Sequence, residues 1–253
     1  MGRYIAIANQ KGGVGKTTTA ANLACALCLA GRKCLLIDLD PQGNATTGLG
    51  LDKKPHQGTY LLLSNPRRAL EAVVASEAPG LDVVPSTTSL AELESELTPA
   101  PDRALRLKAS KAEFSKRYDF IIIDCPPSVG VFPSNALNCT DSVLVPIQCE
   151  YYAMEGLTQI LSGVAATKAR ANPGIMLEGI LLTMYQPSTF AREVSNEVRA
   201  HFPDAVFRTV VPRDISLCEA PSHGLSIFQY DPRSRGARAY VELAKEMMDH
   251  EQG

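Results

Sequence analysis

The sequence predicts an α/β fold with a mostly parallel central sheet covered by helices on both faces. Three observations carry that prediction. Short runs such as YIAIA at 4–8 and FIIID at 120–124 are almost continuously apolar, the pattern of strands buried on both faces. Stretches of helical length and composition separate them. A glycine-rich loop joins the first such strand to the first such helix. Hydrophobic residues make up 45% of the 253 and charged residues 21%, enough for one core in a single domain over 1–253.

Taken in order, residues 4–8 read as a strand and NQKGGVGK as the loop after it. TTTAANLACALCLA, 17–30, is rich in Ala and Leu and therefore helical, with Gly31 suited to its C-terminal turn. KCLLID at 33–38 is a second strand, LDVVP at 81–85 a third and YDFIIIDCP at 118–126 a fourth. DSVLVP (141–146), MLEGILLT (176–183) and AVFRTVVP (205–212) complete seven strands. The strongest later helices are 152–170, 188–201 and Arg235 to Asp249, the last placing Tyr240, Leu243, Ala244 and Met247 on one stripe. The acidic, proline-interrupted stretch 86–104 yields no firm element, and there is no internal repeat.

Net charge is -2, so the chain as a whole does not advertise nucleic-acid binding, although a local basic patch can hide in a neutral total. Seven cysteines, an odd number and mostly within apolar runs, suit a reducing compartment better than a disulfide framework. Cys25 and Cys28 form a CxxC inside an apolar helical run with no second ligand pair, which argues against a metal site. The N-terminus runs directly into a strand and no stretch of eighteen apolar residues appears, so the expectation is a cytoplasmic protein without a membrane span. Glu242, Glu246, Asp249 and Glu251 flank the C-terminal stripe and would repel anionic lipid, so that stripe is expected to pack on the sheet and no membrane partner is expected.

In a strand, glycine loop, helix unit, backbone N–H groups and the positive helix end converge on phosphate. Gly12, Gly13 and Gly15, with Val14 between them, let the main chain wrap closely; Lys16 supplies charge to phosphates and Thr17 a hydroxyl for Mg²⁺. The usual G-x-x-x-x-G-K-[ST] pattern would have glycine where this chain has Gln10. Asp124 ends FIIID and is the expected metal ligand, direct or through water. Asp38 and Asp40, at the end of the second strand, are candidates for positioning an attacking water, since orientation and electrostatics carry most of phosphoryl transfer. These features specify the fold further, as a P-loop NTPase.

KGGVGKTT at 11–18 resembles the deviant Walker A motif of the ParA/MinD family of ATPases. LIDLDPQGNAT (36–46) and FIIIDCPPS (120–128) are similar to that family's switch I and Walker B/switch II segments. The likeness continues through LLTMY (181–185), VVPRD (210–214), EAPSHG (219–224) and YDPRSRGARAY (230–240), and points to partition proteins of the ParA/Soj type. The resemblance implies ATP and Mg²⁺ as cofactors, with Lys11 reaching the phosphates of a second subunit, Lys16 those of its own, and Thr18 adding a phosphate contact. It implies Asp40 as the carboxylate needed for hydrolysis, Thr17 and Asp124 as Mg²⁺ ligands, and an adenine pocket that includes Pro212 and, more weakly, Arg213 and Asp214. The implied partners are a second copy in the ATP state, a ParB-like activator and non-specific double-stranded DNA on the nucleoid.

Candidate DNA contacts are Arg192 and Arg199, seven apart on one helix, with Arg213, Arg233, Arg235 and Arg238 toward the C-terminus. Here the chain departs from the family: TMYQPST has Gln186 and Ser188 where Asp and Arg are usual, and PRDIS has Ser216 in place of a basic residue. The alternatives are a ParA-like ATPase that positions a cargo other than DNA, and a metabolic P-loop enzyme, for which no second-substrate motif is visible.

Overall fold

The computed structural model describes residues 2–151 and 153–249. Strand β1 (Arg3–Ile7) leads into helix α1 (Lys16–Leu29) and β2 (Cys34–Asp38). Short helices α2 (Asn44–Gly48) and α3 (Gly58–Ser64) precede β3 (Val74–Ala75) and β4 (Leu81–Val84). Three more helices, α4 (Leu90–Leu97), α5 (Arg106–Ala109) and α6 (Lys111–Ser115), lead to β5 (Phe120–Asp124). The chain continues through α7 (Val131–Cys139), β6 (Ser142–Gln148), α8 (Ala153–Arg170), β7 (Met176–Tyr185), α9 (Thr189–His201) and β8 (Val206–Pro212). It closes with α10 (Ile215–Glu219), α11 (Ile227–Tyr230) and α12 (Arg235–Asp249).

One eight-stranded sheet results, in the order β3-β4-β2-β5-β1-β6-β7-β8. Every pairing is parallel except β3 with β4. The continuous apolar runs follow from burial on both faces. Within β1, Tyr4 and Ala6 enter one core with Leu157 and Ile160 of α8, while Ile5 and Ile7 enter the other with Leu23 and Leu27 of α1. The C-terminal stripe lies in that second core: Tyr240, Leu243, Ala244 and Met247 are buried between β8 and α1. Among the described residues, no helix is long and apolar enough to cross a membrane.

All seven strands read from the sequence are present, with ends moved by a few residues. β6 and β7 run further, to Gln148 and Tyr185, and β5 is confined to Phe120–Asp124. The helix expected over 152–170 is described from Ala153, Tyr152 lying outside the described residues. β3 was not anticipated, since two exposed residues carry no periodic signal. α4 lies in the stretch left unassigned and buries Leu90, Leu93 and Leu97, a helical spacing obscured by the flanking Ser, Thr and Pro. Asp40 is not part of the second strand, whose ladder ends at Asp38; Asp38 and Asp40 therefore do not share a pleat.

Candidate nucleotide-binding site

Parallel register brings the functional side chains to one edge. Ile7, the last residue of β1, lies beside Asp124 of β5, and Asp124 lies beside Asp38 of β2. On its other side β1 pairs with β6, so the loop after β1 opens where successive connections diverge, the usual place for a ligand crevice in such sheets. Asn9 donates to the Pro146 carbonyl of β6 at 2.8 Å, and Thr183 Oγ1 of β7 donates to the Val14 carbonyl at 2.8 Å. The loop is thereby fastened near both ends.

Gly13 (φ 73°) and Gly15 (φ 85°) adopt left-handed conformations that side chains resist, and Gly15 caps α1 at its amino end. The first-turn N–H groups of a helix have no partners within it, and α1 begins directly at the end of this loop, with no side-chain cap on Gly15. Lys16 is buried, and its Nζ donates to the Lys11 carbonyl at 2.8 Å. Burial lowers its pKa, against the opposing pull of Asp124, Cys125 and Asp40.

Asp124 is completely buried, and neither carboxylate oxygen has a hydrogen-bond partner. Burial, and then the charge of Asp38, push its pKa well up; the Thr17 hydroxyl and Lys16 pull the other way. An unmatched buried carboxylate facing a hydroxyl and a phosphate loop fits a hard divalent cation, which Thr17 and Asp124 would hold. Asp38 differs. It accepts hydrogen bonds from Thr46 N (2.8 Å), Thr46 Oγ1 (2.7 Å) and Asp40 N (3.1 Å), and burial raises its pKa to about 6. These bonds fix the segment after β2, whereas among the described residues the Asp40 carboxylate accepts only from Gln42 N, at 2.9 Å, while its backbone carbonyl is held by Ser86 Oγ and Gly43 N. Of the two aspartates, Asp40 has the more acceptor capacity left for a water.

Lys11 lies on the rim. Its Nζ pairs with Glu150 at 2.6 Å, with side chains 36% and 50% exposed. Beside it a cavity of about 380 Å³ is lined by Gln10, Pro127, Val129, Glu155 and Gln159. Gly12 stands exposed at the same rim. At the opposite end of the loop a smaller cavity, about 140 Å³, runs from Gly15 and Thr18 to Pro212. Asp214 borders it, but its carboxylate accepts from Ser216 N at 3.1 Å and Gly236 N at 2.8 Å and so caps α10 and the start of α12. Pro212 and Asp214 thus share a cavity wall and differ in availability.

The arginines differ in exposure and engagement. Arg213 and Arg235 are exposed neighbours, Arg235 Nη2 donating to the Arg213 carbonyl at 3.2 Å. Arg192 and Arg233 are also exposed. Arg199 is half-buried and donates to the Phe207 carbonyl of β8 at 3.0 Å. Arg238 lines a mixed groove with Arg208, Glu242, Lys245 and Asp249. Sequence reasoning missed Asn9, Thr46, Glu150 and Thr183. Asn9, Glu150 and Thr183 sit in or just after a strand end, and Thr46 lies in α2, in the segment that follows β2.

A family model described as an AAA domain (AAA_31) matches residues 2–177. The chain is 49% identical over 249 residues to the sporulation initiation inhibitor protein Soj of Bacillus subtilis (strain 168), covering 98% of both chains. It is 47% identical over 250 residues to the chromosome partitioning protein ParA of Myxococcus xanthus (strain DK1622), covering 98% of this chain and 88% of that one. Among solved structures, a cobyrinic acid a,c-diamide synthase from Mycobacterium smegmatis with bound ATP analog and magnesium matches at TM-score 0.87 and 34% identity, covering 100% of this chain and 97% of that one. The septum site-determining protein MinD from Pyrococcus horikoshii OT3, complexed with Mg-ADP, matches at TM-score 0.79 and 27% identity, covering 100% and 98%. With the phosphate loop, the switch aspartates and the sheet order in place, and with relatives of this similarity matching over nearly its whole length, the chain belongs to the ParA/MinD family of P-loop ATPases, among the Soj/ParA partition proteins.

Proposed function

We propose that this protein is an ATP-dependent dimerising switch for chromosome or plasmid partition, acting on the nucleoid. The observation that carries the reading is the division of labour between the two lysines. Lys16 completes a phosphate site inside the chain, while Lys11 stands at the rim in an exposed ion pair that can be exchanged. In this reading Lys11 engages the nucleotide of a second copy, so ATP links two chains and hydrolysis releases them.

Thr17 and Asp124 hold Mg²⁺, which neutralises phosphate charge when bound. Gly12 to Gly15 wrap the phosphates with main-chain N–H groups, and Thr18 adds a hydroxyl. Asp40 orients the attacking water, a role supported by its burial beside the loop and its remaining acceptor capacity. A ParB-like partner stimulates this slow step.

The ATP-state dimer binds duplex DNA without sequence preference, chiefly through phosphate contacts. Arg192, Arg213, Arg233, Arg235 and Arg238 are the exposed candidates, and a dimer presents each twice. A second reading, positioning of a cargo other than DNA, has its own support. Ser188 caps α9 by accepting from Ala191 N, and Ser216 bonds Asp231, so both sites that lack the usual basic residue have structural occupations. Beside them Phe190 is 47% exposed and Ile215 74%. A metabolic role has less support, because identity to the diamide synthase structure is 34% against 49% to Soj.

Titration onto duplex DNA with ADP, with ATP and with Asp40→Ala plus ATP, at two salt concentrations, separates these readings. DNA binding should require ATP, persist in Asp40→Ala, whose turnover should be at least tenfold slower, and weaken as salt rises. Absence of binding in all three states moves the assignment to the other cargo.

A further inference from the structure

The CxxC of helix α1 has no part in the nucleotide site, and its two thiols part company in the folded chain. Cys25 is buried, and its thiol meets the Ser226 side chain just before α11; burial pushes it up to about 12. Cys28 is half-buried, in the last turn of α1. Beyond it the chain reverses sharply. Gly31 is left-handed (φ 82°), its N–H donates to the Cys28 carbonyl at 2.9 Å, and Arg32 N donates to the Leu27 carbonyl at 3.1 Å. β2 therefore starts, at Cys34, alongside the helix end it has just left.

A second glycine closes the arrangement. Cys34 N donates to the Gly80 carbonyl at 3.3 Å, and a Cβ on Gly80 would stand 3.4 Å from Cys28 Cβ and 3.7 Å from Cys28 Sγ. Gly80 (φ 81°) thus lets Cys28 lie against the strand end to which Cys34 is bonded. The two thiols meet there, Cys34 donating its S–H to Cys28. That bond holds Cys28 below the usual thiol range against the effect of burial, while the same bond and then burial push Cys34 up. One sulfur is half-exposed with thiolate character; the other is buried, protonated and in contact with it.

We propose that Cys28 and Cys34 are a modification site for peroxides, at which Cys28 is oxidised and Cys34 resolves the product as an intramolecular disulfide. With hydrogen peroxide, the Cys28 thiolate attacks one oxygen, forming an S–O bond as the O–O bond breaks. The sulfur gives up two electrons to the peroxide, and the departing oxygen takes up a proton and leaves as water. The Cys34 sulfur then attacks Cys28, forming the S–S bond as the S–O bond breaks, and its proton leaves with the hydroxyl as a second water. In a reducing compartment such a bridge is transient, which suits a sensor of oxidation rather than a structural tie. The pair sits at the start of β2, at the opposite end of the strand from Asp38, so the inference does not rest on the nucleotide reading.

The test treats the folded full chain with hydrogen peroxide, blocks remaining thiols with an alkylating reagent, and maps the cysteines by mass spectrometry of a non-reduced tryptic digest. Trypsin cuts at Arg32 and Lys33, so a Cys28–Cys34 bridge joins two peptides, whereas a Cys25–Cys28 bridge stays within one. The joined peptides should appear in wild type, separate on treatment with dithiothreitol, and form about tenfold faster than the exposed Cys218 is oxidised. Cys25→Ser should form the bridge at a rate within about twofold of wild type. Cys34→Ser keeps a hydrogen-bond donor but cannot resolve, so Cys28 should persist as a sulfenic acid that dimedone captures. A bridge mapped to Cys25 and Cys28, or oxidation of Cys28 no faster than that of Cys218, overturns the proposal. Joined peptides that still form in Cys34→Ser, or that vanish in a folded Cys25→Ser, overturn the pairing. The wild-type map depends on no variant's folding.

Discussion

Lys11 and Lys16 stand five residues apart on one loop and occupy opposite electrostatic worlds. Lys16 is buried, reaches back to a loop carbonyl and has its pKa lowered by burial. Lys11 is on the rim, paired with the half-exposed Glu150. A buried ammonium without a firm counter-charge is a poor structural element but a strong ligand for an arriving anion, because low dielectric amplifies the attraction. An exposed ion pair contributes little to stability and is easily exchanged. The contrast teaches that a loop can hold one charge for its own chain and keep another transferable.

The largest test of that contrast is Lys16→Ala. Removing a charged hydrogen-bond donor from a buried phosphate site should cost about 3 kcal/mol, roughly a hundredfold in ATP affinity. Titration calorimetry reads this directly, and undiminished affinity would end the assignment of the loop. Next comes Lys11→Ala. A lone chain should bind ATP within about twofold of wild type, since the phosphate site of that chain is intact. Nucleotide-dependent dimerisation should disappear in sedimentation measured at concentrations where wild type is fully dimeric. Equal loss of ATP affinity in both variants would erase the distinction between the lysines.

How much of this was legible beforehand depends on the range of the signal. Strands such as FIIID were readable because burial on both faces writes itself into consecutive residues, and the loop because glycines and a lysine at fixed spacing have few other uses. The side-by-side placement of Asp38 and Asp124 was not readable, since it depends on β2 pairing with β5 across a long stretch of chain. The roles of the two switch aspartates separate only when Thr46 is seen to engage Asp38 and leave Asp40 with capacity. The same holds for Asp214 and Arg199. Each has a residue type suited to binding, and each is engaged by backbone groups that only the folded chain brings near. Lys11 illustrates the reverse: resemblance pointed outward to a partner, while Glu150, 139 positions along the chain, supplies its partner at home.

The smallest effect is the most discriminating, because it touches only the home contact. Glu150→Gln removes the carboxylate charge and leaves side-chain size nearly unchanged. Exposed pairs of this kind contribute about 0–1 kcal/mol, so melting of the free protein should barely shift. If the pair restrains Lys11, its removal makes Lys11 available at lower cost, and dimerisation with ATP should occur at up to about fivefold lower protein concentration. Raising salt should shrink the difference between wild type and variant, since screening weakens the wild-type pair by the same physics. ATP affinity of the single chain should not move. A variant that dimerises less readily than wild type would show that Glu150 serves the assembled state, and Lys11 and Glu150 would then be two halves of one seam rather than a charge and its temporary holder.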